Sequence, residues 1–171
     1  FSDLLIGAPN ASEGQNNEGI VSLYRGSNNG LVQVPAWTAQ SNTINAQFGF
    51  SLAHAVDVNG DGFSDIVVST PFINTDDDSE LEGRVYVYHG KAGFPNDTPD
   101  WAVSPDQDNT HFGFAISGLG DVNGDGYADL GIGAPLYDNG NIDEGRVYVY
   151  YGSQTGLSTG ASWLAESNKD N

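Results

Sequence analysis

Short runs of β-branched and aromatic residues alternate along the whole chain with clusters of Gly, Asn, Asp and Pro, and no apolar stripe of helical period reaches ten residues. Asp65-Ile66-Val67-Val68-Ser69 is a compact run suited to a strand covered on both faces. Arg84-Val85-Tyr86-Val87-Tyr88 and Arg146-Val147-Tyr148-Val149-Tyr150 alternate with the strand period of two. The 23 glycines fall mostly in the punctuation between these runs. The pattern predicts many short strands joined by turns.

The punctuation repeats. Phe48-Gly49-Phe50 returns as Phe112-Gly113-Phe114, and Asp57-Val58-Asn59-Gly60-Asp61-Gly62 returns as Asp121-Val122-Asn123-Gly124-Asp125-Gly126, both at an offset of 64 residues. Gly7-Ala8-Pro9 corresponds to Ser69-Thr70-Pro71 and Gly133-Ala134-Pro135. Glu18-Gly19 corresponds to Glu82-Gly83 and Glu144-Gly145. Trp37, Trp101 and Trp163 each follow a tyrosine (Tyr24, Tyr88, Tyr150) by 13 residues. Phe1-Ser2-Asp3 aligns with Phe63-Ser64-Asp65. The chain therefore reads as about two and two-thirds repeats, with units at 1–47 (lacking its N-terminal part), 48–111 and 112–171. It opens as if inside a structural element, which suggests a piece cut from something longer. Several short strands per unit suit a propeller blade better than a helical solenoid.

Charge narrows the partners. Five basic residues face 23 acidic ones, a formal net charge of −18. Such a field repels nucleic acid and anionic lipid, and no apolar run approaches membrane-spanning length. Composition alone leaves two readings of the acidity, countercharge by divalent cations or solubility. The absence of Cys excludes disulfides, thiolate metal sites and thiol nucleophiles without assigning a compartment.

The acidic loops carry the chemistry. Asp57, Asn59, Asp61 and Asp65 occupy positions 1, 3, 5 and 9 of one loop, and Asp121, Asn123, Asp125 and Asp129 those of the other. Gly62 and Gly126 at position 6 permit a sharp turn. With the position-7 carbonyls of Phe63 and Tyr127, each loop offers an oxygen-only donor set that favours calcium over zinc, copper or magnesium. Two calcium sites are expected. An EF-hand would place a bidentate Glu at position 12, where these loops have Val68 and Ile132 inside strand-like runs. The alternative is an Asx-rich turn that binds nothing, but five positions recur and three crowded carboxylates would repel one another without a cation.

Phe48-Gly49, the Asp57–Asp65 loop and Gly133-Ala134-Pro135 together resemble the FG-GAP repeat of integrin α subunits, and the resemblance covers essentially the whole chain. It implies an all-β fold of β-propeller blades, here a partial propeller of a ring that would be seven-bladed if integrin-like. It implies calcium in hairpin loops on one face, and Phe-Gly and Gly-Ala-Pro segments packed closely against neighbouring blades. The Tyr and Trp markers are then expected between blades. Ser69-Thr70-Pro71 departs from the motif, and the first unit keeps only Asp3 of its loop. Closing such a ring requires further repeats in a longer protein or self-association of copies.

No nucleophile elbow, phosphate loop or paired-histidine metal motif is present, and His54, His89 and His111 are scattered. The chain is read as non-catalytic: an extracellular or cell-surface calcium-binding module for adhesion or for protein or glycan binding. The alternative is an accessory segment of a larger secreted hydrolase or lyase.

Overall fold

The computed structural model describes residues 1–74, 81–105 and 107–169, with the side chains of His54 and Ala55 outside that description. Among the described residues the chain is all-β, without helices. Three antiparallel sheets of three or four strands follow one another. The first orders β1 (Leu4–Ala8), β2 (Ile20–Tyr24) and, beyond a two-stranded ribbon of β3 (Gly26–Ser27) and β4 (Gly30–Leu31), β5 (Trp37–Gln40). The second orders β6 (Leu52–Val56), β7 (Asp65–Thr70), β8 (Arg84–Tyr88) and β9 (Trp101–Val103). The third repeats it with β10 (Ala115–Gly120), β11 (Asp129–Ala134), β12 (Arg146–Tyr150) and β13 (Trp163–Glu166). Each four-stranded meander is a propeller blade, and the three-stranded sheet is a blade that begins at its second strand.

The β-branched run at β7 is buried at all six positions, and β11 at five of its six. Both are covered on two faces, which buries Asp65, Ser69, Thr70 and Asp129 along with the apolar residues between them. In β1 the same position in the blade is far more open, with Leu4 and Ile6 41% and 44% exposed.

Adjacent sheets lock through the repeat markers. The Phe48 amide donates to Glu18 O at 3.0 Å and the Phe112 amide to Glu82 O at 3.2 Å. Both phenylalanine rings are buried, and Phe48 and Phe112 pack edge-on or tilted against Tyr86 and Tyr148 at 5.7 and 5.1 Å. Gly49 and Gly113, at φ +88° and +86°, sit where a Cβ would lie 2.8 Å from the Cγ2 of Val21 and of Val85 respectively. A side chain there would force the blades apart, so the glycine is a packing requirement as well as a conformational one. At the departure from Gly-Ala-Pro, Ser69 is buried, and its hydroxyl accepts the Ser51 amide at 3.0 Å.

The aromatic markers also lie between sheets. Trp37 meets Tyr88 at 5.1 Å and Trp101 meets Tyr150 at 5.3 Å, both edge-to-face. The tryptophan of one blade thus packs on the tyrosine of the next, and not on the one it follows by 13 residues. Trp163, in the last sheet, is 51% exposed.

Candidate metal centres

Both acidic segments are tips of hairpins, between β6 and β7 and between β10 and β11. The two strands of each hairpin are in antiparallel register, with a bulge at Ala53/Val56 in one and at Gly118/Gly120 in the other. Position 12 of each loop, Val68 or Ile132, is buried inside β7 or β11.

The side chains of positions 1, 3 and 5 fold back onto loop amides in matching fashion. Asp57 Oδ1 accepts from the Asp61 amide at 3.1 Å and its Oδ2 from the Gly62 amide at 3.0 Å. Asn59 Oδ1 accepts the same Asp61 amide at 3.1 Å, while its Nδ2 donates to Asp61 Oδ2 at 3.0 Å. Asp61 Oδ1 accepts from the Phe63 amide at 2.9 Å. In the second loop Asp121 accepts from Gly124, Asp125 and Gly126 at 2.7, 3.0 and 2.8 Å. Asn123 accepts from the Asp125 amide at 2.9 Å and donates to Asp125 Oδ2 at 2.8 Å, and Asp125 accepts from Tyr127 at 3.0 Å. Gly60, Gly62, Gly124 and Gly126 all have positive φ, which curls each loop around its own side chains.

Position 9 does something the spacing did not reveal. Asp65 and Asp129 are fully buried at the loop bases. Asp65 Oδ2 accepts from the Val58 amide and its Oδ1 from the Gly90 amide, both at 2.8 Å. Asp129 repeats the pair with Val122 and Gly152, at 2.9 Å each. Asp3 in the first unit keeps half of it, accepting from the Gly26 amide at 2.9 Å. Each of these glycines stands two residues after the repeat tyrosine, a regularity visible in the sequence once its purpose is known. Burial pushes the Asp65 carboxyl upward, opposed by its two amide partners and by nearby His89. The Gly126 amide, aided by those of Gly124 and Asp125, holds Asp121 below the usual carboxylate range.

The structure thus brings positions 1, 3 and 5 of each loop together around its tip and places position 9 at its base, without gathering three acidic or histidine side chains at one point among the described residues. By donor chemistry the set fits a hard cation. Every side chain presents oxygen, and an oxygen such as Asp57 Oδ2 or Asp61 Oδ1 that accepts one amide proton keeps a further lone pair.

Two successive blades bearing matched acidic hairpins define an all-β repeat protein of the propeller type. Residues 48–88 and 112–150 match the FG-GAP repeat, and the chain belongs to that repeat family. It is 36% identical to human integrin alpha-6 over 153 residues, 90% of this chain and 12% of the relative. Integrin alpha-PS2 of Drosophila melanogaster is 34% identical over 172 residues, 92% of this chain and 12% of the relative. Integrin alpha-PS3 of the same fly is 43% identical over 110 residues, 64% of this chain and 9% of the relative. The chain spans about a tenth of the length of these relatives.

Proposed function

We propose that this chain is a non-catalytic, calcium-binding propeller segment of an extracellular or cell-surface protein, and that it presents loops to a protein or glycan partner. Its blades correspond to 1–47, 48–111 and 112–171. The observation that supports this most directly is the recurrence, in two hairpins, of one oxygen-bearing pattern with one hydrogen-bond layout. Asp57, Asn59, Asp61, the Phe63 carbonyl and Asp65 would hold one ion, and Asp121, Asn123, Asp125, the Tyr127 carbonyl and Asp129 the other. A bound ion supplies positive charge and an oxygen-specific cross-link at the hairpin tip. The chain's own part is to bring the oxygens close and to anchor the loop base through Asp65 and Asp129 to buried amides. The net charge of −18 supports cations, and argues against nucleic acid or bare membrane as partners. The likeness to integrin α subunits supports adhesion as the setting and further repeats as the neighbours that complete the ring.

Extracellular calcium modules bind with dissociation constants on the order of 0.1–1 mM, which would fill these loops outside cells and leave them mostly empty in cytosol. Calorimetric titration with calcium and a melting scan with and without chelator test the reading. Two sites and a lower melting temperature in chelator are expected, and Asp61→Ala with Asp125→Ala should abolish both. Unchanged melting and no binding heat would refute it.

A further inference from the structure

The two acidic hairpins touch. Ala128, between positions 7 and 9 of the second loop, donates its amide to the carbonyl of Asp57, position 1 of the first, at 3.0 Å. The Tyr127 ring lies over Gly60, so close that a Cβ there would stand 2.7 Å from Cε1. The Ser153 amide donates to Val58 O at 3.0 Å. Val58 itself is fully buried, in a cluster that includes Tyr150 and Leu157 and against which Ala128 packs. Among the described residues the second loop has no such seat: Val122, the counterpart of Val58, is 55% exposed, and a Cβ on Gly124, the counterpart of Gly60, would meet nothing within 4 Å.

We infer that cation binding at the two hairpins is positively coupled through the Tyr127–Ala128 segment, an inference that rests on the cation reading above. The Tyr127 carbonyl and the Asp129 carboxylate are two donors of the second loop, so fixing them orders residues 127–129. Those residues hold the backbone of Asp57 and cover Gly60, so part of the ordering that the first loop needs is already done. Linkage makes the effect reciprocal, and coupling of this kind amounts to about five-fold or more in affinity. The first hairpin, clasped on its flank, is the tighter of the two.

Calcium titration of the whole chain, with Asp125→Ala and Asp61→Ala as single-loop variants, measures the coupling. The first loop should bind about five-fold more weakly in Asp125→Ala than in the unaltered chain, and the second should lose the same factor in Asp61→Ala. Tyr127→Ala, which keeps the position-7 carbonyl, should bring the factor toward one while two sites remain. Amide hydrogen exchange of residues 57–63 in Asp61→Ala gives a second readout, because that loop no longer holds an ion of its own. Slower exchange there as calcium fills the other hairpin supports the coupling. Two sites with equal, independent constants, or exchange at 57–63 indifferent to calcium, would overturn it while leaving the cation reading intact. Absence of any calcium heat in the unaltered chain would overturn both.

Discussion

Replacing Asp65 with Asn separates what the position-9 carboxylate does for the fold from what it does for an ion. Both of its oxygens accept buried amides, from Val58 and Gly90, at 2.8 Å. Asparagine keeps one acceptor and turns an NH2 group toward the other amide, so donor faces donor in a site with no solvent exposure. Losing a hydrogen bond to a charged acceptor costs about 1.5–3 kcal/mol, and leaving a buried donor unpaired adds about 1–3 kcal/mol. Part of this is offset because the neutral amide escapes the burial that pushes the Asp65 carboxyl upward. A net loss of about 2–4 kcal/mol follows, and for a chain of this size that lowers the melting temperature by roughly 5–15 °C. The measurement is a thermal or urea melt in excess chelator, with Asp61→Asn as the comparator. Asp61 is solvent-exposed and its carboxylate accepts from Asn59 and Phe63 of its own loop, so its change should cost no more than about 1 kcal/mol under the same conditions. If the two variants melt together in chelator, the anchoring role assigned to Asp65 is wrong.

Gly113→Ala and Gly126→Ala have similar positive φ, but only the first would drive a Cβ into a neighbouring blade, 2.8 Å from Val85 and 3.0 Å from Ser69. Urea denaturation should show about 1 kcal/mol lost for Gly126→Ala and a further 1–3 kcal/mol, roughly, for Gly113→Ala. Trp37→Ala, which empties a buried site against Tyr88, should cost about 3–5 kcal/mol, while Trp163→Ala at a half-exposed ring should cost far less, both read from melts followed by near-ultraviolet circular dichroism. The Asn139 side chain, together with Arg146, holds Glu166 below the usual glutamate range. The stability it contributes is therefore present above the unfolded-state pKa of about 4.3 and is lost as pH falls through the lower folded value. Melting temperatures taken across that acid range should fall less steeply in Glu166→Gln than in the unaltered chain.

Much of this protein is local in origin and so could be read from the residues in order. Strand period and turn chemistry act within a few residues, which is why 84–88 and 146–150 fold as expected and why the acidic segments form hairpin tips. The repeat offset likewise announces blades, because each copy carries the same small residues where backbones must meet. Three features depend on neighbours distant in the chain. Val85 and Val147 share a repeat position, yet one is fully buried under Gly113 while the other is 45% exposed, since burial depends on which blade follows. Trp37 and Trp101 pair forward with the next blade's tyrosine, a choice made by sheet packing and silent in their spacing. Asp65, read as one ligand among equals, reaches an amide 25 residues away at Gly90, and Asp57 lends its carbonyl to the opposite hairpin. Residue type determined that oxygens would crowd each loop. Only the stacking of blades decided which of those oxygens anchor the sheet and which hairpin leans on the other, because those partners meet only once the sheets are assembled.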